Sequence, residues 1–242
     1  MEFNLGSCQI RFGQLVGAEL VQRDNRFRVQ VRMEGRVVSA HLPNSGRLGE
    51  LLVPGRQLWL TPAPVEGRAE RKTAYDLTLV EYGDRLVSVD ARLPSALVAA
   101  ALSCGRLARW QGYATVQREV THGASRLDLR LDAHPEAPPC WIEVKSVTLV
   151  EEGAALFPDA PTARGRRHLA ELVDIVDAGE RAAAVFVVQR DDPERFSPHS
   201  MADPAFAAAL CEAKAAGVDV AAYRCRVTLE GIEITSSIPV VV

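Results

Sequence analysis

The sequence predicts an α+β chain in two parts: a small β-barrel or sandwich, then an α/β sandwich around one mixed sheet. Three observations carry this. About five short alternating runs fall within roughly the first 80 residues, separated by turn formers. Near residue 85 the apolar period changes from that of a strand to that of a helix. Beyond it the elements run α-β-β-β-α-β, with further α and β pieces after them. The expected domains are therefore residues 1–85 and 86–242.

The first part contains the runs Ile10 to Val21, Phe27 to Val31, Arg36 to Leu42, Gln57 to Thr61 and Tyr75 to Tyr82. In the second run Phe27, Val29 and Val31 share one face. Between the third and fourth lies His41-Leu42-Pro43-Asn44-Ser45-Gly46-Arg47-Leu48, a turn passing into a short helical turn. Asn44 and Ser45 are good caps and Gly46 permits close approach of backbone. Such a loop either holds a phosphate on its amides, with Arg47 beside it, or is a plain structural cap.

In the second part Pro94 to Leu107 reads as a helix, with Leu97, Val98, Ala101 and Leu102 on one face. Three strands follow: Ala114 to Thr121, Arg126 to Leu131 and Cys140 to Val150. Arg164 to Ala178 is a second helix ended by Gly179, with Leu169, Leu172, Val173 and Val176 as its apolar face. Ala182 to Gln189 is a buried strand, Pro204 to Ala216 a third helix stopped by Gly217, and Val218 to Thr228 another strand. The terminal Val240-Val241-Val242 could pair a sheet edge in a homodimer or finish the barrel or sandwich.

Composition narrows the function classes. A chain of 242 residues with 48% hydrophobic and 24% charged residues can bury real cores as an ordinary globular protein. The net charge of −3 gives no direction, but Arg11 to Arg47 holds seven arginines against Glu19, Asp24 and Glu34. That excess either attracts phosphate or is a solvated β surface. Five scattered cysteines without a C-x-x-C pair argue against a disulfide framework and a structural zinc site, and suit a cytoplasmic protein. No leader-like opening and no apolar run of about 18 residues is present, so membrane association is not expected.

The stretch richest in chemistry is Arg126-Leu127-Asp128, followed after a turn by Trp141-Ile142-Glu143-Val144-Lys145. Glu143 and Lys145 project from one side of their strand, and a hairpin brings Asp128 opposite or diagonal to Glu143. Two carboxylates that can share a divalent ion, with an ammonium beside them, are what a metal-dependent phosphodiester hydrolase requires. The plain alternative is a cross-strand salt bridge. Context sharpens the former, and both readings stay open on these residues alone. The strand is otherwise apolar, and Lys145 is one of only three lysines in a chain whose basic positions are nearly all arginine.

These segments, with the element order that carries them, resemble the core of the PD-(D/E)xK nuclease superfamily. More closely, the chain resembles the sugar fermentation stimulation protein A family. The matching blocks are Asn25-Arg26-Phe27, His41 to Arg47, Ser125 to Asp128 and Glu143 to Leu149. They continue through Phe157-Pro158-Asp159-Ala160, Thr162, Arg164-Gly165, His168-Leu169, Gln189 to Asp192 and Ile238 to Val241. One departure from the superfamily pattern is Leu127 in place of a proline before Asp128, and the family itself has an apolar residue there. The resemblance implies an N-terminal OB-fold, a C-terminal nuclease-like domain and DNA binding. It implies either a nuclease or a non-catalytic regulator of sugar metabolism genes that keeps the nuclease fold as scaffold.

Under that resemblance Asp128 and Glu143 would ligate Mg²⁺ (or Mn²⁺), with the Val144 carbonyl and waters completing the shell. Lys145 would orient the attacking water. Glu119 is either a further acidic ligand or a surface residue, and Gln189 either holds Lys145 or substrate or simply ends a strand. Arg164, Arg166 and His168, in the first turns of a helix, would favour phosphate; His168 could instead pack inward, and a single imidazole does not suggest zinc. On the barrel, Arg26, Arg28, Asn44 and Arg47 are the candidate DNA contacts, with Phe27 or Trp59 as stacking surfaces for single-stranded or distorted DNA.

Overall fold

The structure, a computed structural model, describes residues 8–63, 71–123 and 125–242. The strands of the first part are β1 (Gln9–Arg11), β2 (Val16–Asn25), β3 (Arg28–Met33), β4 (Arg36–His41), β5 (Gln57–Pro62), β6 (Tyr75–Tyr82) and β7 (Arg85–Ser88). Then come α1 (Leu93–Ser103), β8 (Thr115–His122), β9 (Ser125–Asp132), β10 (Cys140–Val147), β11 (Val150–Glu151) and β12 (Ala154–Phe157). The chain continues with α2 (Ala163–Asp177), β13 (Arg181–Val188), β14 (Arg195–Pro198), α3 (Pro204–Ala215), β15 (Asp219–Val227) and β16 (Gly231–Ile238).

Strands β2 to β6 close a barrel. The order β4-β3-β2-β5-β6 is completed by a parallel contact of His41 in β4 with Asp76 in β6, and β7 extends β6. This is the five-stranded arrangement of an OB-fold. Period-two alternation fills it: Leu20, Val29, Val31, Ala40, Leu58, Leu60 and Leu77 form its core. The β3–β4 hairpin turns through Glu34 and Gly35, both at positive φ, as a tight twisted hairpin requires. Phe27 is not in this core. It precedes β3 in the turn and is 50% exposed, because its backbone has not yet entered the alternation that buries Val29 and Val31.

The second part is a seven-stranded sheet in the order β1-β16-β15-β13-β10-β9-β8. Its centre, β10-β13-β15, is parallel, and the middle strand β13 is apolar from Ala182 to Val188 because both faces are covered. α1 covers one face with Leu93, Leu97, Val98 and Ala101 against Leu129, Ile142, Val185 and Val187. α2 and α3 cover the other, where Leu169, Leu172, Phe206 and Leu210 meet Phe186 and Val188. β1 lies in this sheet and not in the barrel, although it is continuous with the run that leads into β2. The barrel therefore starts at β2 and extends through β7 at Ser88.

Cys8 and Cys104 form a disulfide with a Cα–Cα distance of 5.8 Å, 96 residues apart in sequence. Spacing could not show this pair, since the sheet position of β1 is what brings residue 8 to the end of α1. Val240 makes a parallel bridge to Phe196, so the terminal valine run is partly engaged within the chain. No helix among the described residues is long and apolar enough to cross a membrane.

Candidate active site

The register of β9 and β10 pairs Leu131 with Cys140, Arg130 with Trp141 and Leu129 with Ile142. One step further, where the ladder stops, Asp128 lies beside Glu143. The amide of Val144 no longer donates to a β9 carbonyl; it donates to Oδ2 of Asp128 at 2.8 Å. Alternation along β10 sends Ile142 and Val144 to the α1 face and Glu143 and Lys145 to the α2 face. The ammonium of Lys145 reaches Oε1 of Glu143 at 2.5 Å.

α2 closes the site from below. Thr162 caps it, its Oγ1 accepting from the Gly165 amide at 3.0 Å. The carboxylate of Asp203 accepts from the Thr162 amide at 2.8 Å and from Arg166, while its other oxygen caps α3 through the Phe206 amide at 3.0 Å. One buried acid thus fixes the starts of both helices. Gly165 leaves no room for a side chain, since a Cβ there would lie 2.7 Å from Thr162 and 3.1 Å from Phe206.

So anchored, α2 carries His168 beneath the carboxylates. His168 is 2% exposed and its Nδ1 makes a short hydrogen bond to Oε1 of Glu143. Arg164 Nε lies 3.3 Å from His168 Nε2. The neutral imidazole protonated on Nδ1 satisfies both contacts: Nδ1–H donates to Glu143 and Nε2 accepts from Arg164. Oε1 of Glu143 then receives two donors, from His168 and Lys145. Oε2 of the same carboxylate is buried and has no hydrogen-bond partner.

The electrostatics follow from this packing. Burial, and then the charge of Glu143, push Asp128 up to about 6 against the Val144 amide and Lys145. Burial also pushes Glu143 up, but the hydrogen bonds from His168 and Lys145 outweigh it and hold that acid below the usual carboxylate range. Two adjacent acids are thus driven apart, one firmly ionised and the other close to neutral pH.

A cavity of about 630 Å³ opens over these groups, lined by Asp128, Glu143, Val144, Lys145 and Arg164 of the second part and by Arg26, Asn44 and Gly46 of the barrel. The other expected residues lie elsewhere. Arg28 lines a separate hollow of about 500 Å³ with Phe27, His41, Arg71 and Lys72. Arg47 is exposed, and its amide donates to Oδ2 of Asp159 at 2.6 Å. Asn44 is buried as an Asx turn, accepting from the Gly46 amide at 2.8 Å and donating to the Val89 carbonyl at 3.0 Å.

Four expectations are corrected. His168 is a buried partner of Glu143 and not a surface phosphate contact, because the apolar face of α2 turns it inward. Gln189 is fully buried and donates to Ser146 Oγ at 3.0 Å while accepting from Ser88 Oγ at 3.0 Å. Ser146 alternates with Lys145, so this amide belongs to the opposite face of the sheet and does not hold the lysine. Glu119 falls opposite Asp128, between the pairs Arg118–Leu129 and Val120–Leu127, but with a positive φ of 57° it is exposed and ion-paired with Arg126 at 2.9 Å, the surface alternative of the two expected. Trp59 packs against the core beneath α1 and donates to Glu81 at 3.0 Å, so it offers no free stacking face.

Among the described residues no group of three or more His, Cys, Asp or Glu side chains is arranged to hold a metal ion. Two carboxylates with one bare oxygen nonetheless suit Mg²⁺, which keeps most of its waters and takes one or two acids from a protein. Asp159, which also lines the cavity, is not singled out by strand or helix periodicity. The signal for it was the anion-accepting loop itself, which needed an anion.

Comparison with known proteins places these features in a family. Residues 92–231 match the family described as "Sugar fermentation stimulation protein RE domain", and residues 21–89 match "SfsA N-terminal OB domain". A sugar fermentation stimulation protein homolog of Moorella thermoacetica is 49% identical over 88% of this chain and 90% of its own length. That of Desulforamulus reducens is 44% identical over 97% of this chain and 95% of its own. The solved structure described as Pyrococcus furiosus SfsA in complex with Ca²⁺ is 30% identical, with a TM-score of 0.88 over 96% of this chain and 98% of that one.

Proposed function

The chain belongs to the sugar fermentation stimulation protein family, and we propose that it binds DNA and hydrolyses its phosphodiester bonds at Asp128, Glu143 and Lys145 with a bound Mg²⁺ (or Mn²⁺). The observation that carries this reading is the bare, buried Oε2 of Glu143. An orphaned carboxylate oxygen in a protein interior costs roughly 1–3 kcal/mol or more, unless something binds it. The relative described as a Ca²⁺ complex accords with a hard divalent cation.

When bound, such a cation would polarise the scissile phosphate and acidify a water. Asp128 and Glu143 would hold it, with the Val144 carbonyl and waters as further ligands. The chain's own groups supply the rest. His168 and Lys145 both occupy Oε1 of Glu143, so that Oε2 would be the oxygen left to hold the ion. Lys145 holds a proton beside the site and orients the attacking water. Arg164 and Arg26, on opposite walls of the cavity, neutralise the phosphates flanking the bond to be cut.

The cavity lies between barrel and sheet, so the barrel would present the strand that the second part cuts. That arrangement suits single-stranded or distorted DNA, whose phosphates can follow a cleft that a straight duplex cannot enter. The core would then be a PD-(D/E)xK nuclease in which Leu127 precedes the first acid. The test is cleavage of end-labelled single- and double-stranded DNA with Mg²⁺ or Mn²⁺, comparing wild type with Asp128→Ala. Metal-dependent cutting lost in the variant supports the reading. Binding without cutting by either protein would make it instead a DNA-binding regulator of sugar metabolism genes, with the nuclease fold kept as scaffold.

A further inference from the structure

The barrel loop that forms one wall of the cavity already holds an anion. Oδ2 of Asp159, on the segment leading from β12 to α2, accepts from the amide of Arg47 at 2.6 Å and lies 3.4 Å from that of Leu48. Leu48 has a positive φ of 51°, which turns its N–H to the same side as that of Arg47. Successive amides so arranged make a concave anion receptor. A Cβ on Gly46 would lie 2.5 Å from the same oxygen, so a side chain there would close the receptor. Behind it, Arg23 donates to the carbonyls of Asn25, Arg26, Gly46 and Arg47, fixing the peptide planes with their amides forward.

A carboxylate on two amides could be a plain staple between barrel and sheet, and three features favour a different role. Asp159, Ser45 and Gly46 line the same cavity as Asp128, Glu143 and Lys145. Among the described residues Asp159 forms no salt bridge within 4.0 Å; two amides hold it directly, and Arg23 acts on its charge only from behind the loop. It is also a third carboxylate in a cleft that must admit a polyanion, where like charges repel. A phosphate entering the receptor would take over the same two donors.

We propose that the amides of Arg47 and Leu48 form a phosphate subsite for a nucleic-acid strand, filled in the free protein by the carboxylate of Asp159, which the strand displaces. This rests on the reading of the cavity as a nucleic-acid site, but the subsite itself is testable without nucleic acid.

The experiment follows the amide resonances of Arg47 and Leu48 in ¹⁵N-labelled protein titrated with inorganic phosphate, against chloride at matched ionic strength. Wild type, Asp159→Asn and the smaller Asp159→Ser are compared, each checked for an unchanged fold by its remaining resonances. In the variants these two amides should respond at about tenfold lower phosphate than in wild type. A labelled oligonucleotide, with EDTA present to prevent cleavage, should bind the variants more tightly by a similar factor. An equal phosphate response in all three proteins, or none in any, overturns the proposal. So does loss of the fold in both variants, which would make Asp159 a staple. If the phosphate responses differ as expected while no oligonucleotide binds, the subsite stands and the nucleic-acid reading falls.

Discussion

His168 donates its Nδ1 hydrogen to Oε1 of Glu143, from a buried position on α2 that no solvent reaches. With Lys145 on the same oxygen, this leaves Oε2 as the only unsatisfied atom of that carboxylate. Under the proposed reading His168 would aim a metal ligand without being one. His168→Ala should weaken Mn²⁺ binding by roughly 10–100-fold, as loss of such supporting hydrogen bonds typically does. His168→Asn, which keeps a donor of similar reach, should recover part of it. Calorimetric titration with Mn²⁺ checks both, and unaltered affinity in His168→Ala would remove the histidine from the site.

Asp128 sets the pH behaviour of the metal-free protein. Its folded pKa is raised from 3.8 to about 6 by burial and by Glu143. A raised acid is stabilised when protonated, so its ionisation between pH 4 and 6 costs the folded state up to about 3 kcal/mol. Asp128→Asn removes that cost. The stability advantage of Asp128→Asn over wild type, measured by urea unfolding in EDTA, should be absent near pH 4 and grow until about pH 6. With saturating Mg²⁺ wild type should gain stability and the variant should not.

Lys145 is expected to act in the chemical step more than in binding. Lys145→Ala should lower cleavage by about 10²–10⁴-fold while changing DNA affinity by less than about threefold. Lys145→Arg should rescue little, because a planar guanidinium cannot occupy the space of an ammonium already 2.5 Å from Glu143. Single-turnover cleavage beside anisotropy binding separates the two effects.

Arg26 and Arg164 face the cavity, whereas Arg28 faces the neighbouring hollow. If a strand follows the cavity, replacing Arg26 or Arg164 by Ala should each reduce the salt slope of single-strand binding by about 0.7. Arg28→Ala should reduce it only if the strand continues over Phe27. Affinity measured across a salt series distinguishes these paths.

Asp203 is buried, and although burial pushes it up, the amides of Thr162 and Phe206 and the guanidinium of Arg166 hold it below the usual range. A depressed acid stabilises the fold above its unfolded pKa, and that contribution is lost as pH falls through the folded value. Asp203→Ala should cost about 3 kcal/mol at pH 7, from a lost helix cap and buried donors left unpaired. The deficit should shrink in acid, as urea unfolding at pH 7 and pH 3 would show.

The sheet-borne part of this site was legible because strand periodicity is strict. Asp128, Glu143 and Lys145 share a face as a consequence of alternation and hairpin register alone. The failures arise where alternation ends or a distant element decides. Gln189 lies one residue beyond β13 and bonds to the opposite face. Glu119 is turned outward by a single positive φ that no local residue type announces. His168 could be placed on α2, but whether it met solvent or Glu143 depended on how that helix rolls against β10. The barrel loop was readable as an anion receptor, while its occupant lies 112 residues away.

The pairing of β1 with β16 has a consequence for biosynthesis. Residues 9–11 leave the ribosome long before their partner, residues 231–233. Between them the barrel strands form a contiguous block that can close on its own while translation continues. The larger sheet cannot place β1 until β16 has been made. Topologically, the barrel is an insert looped out of the larger sheet. A truncation beginning at α1 would deprive β16 of its neighbour and bare a row of backbone donors and acceptors to other chains.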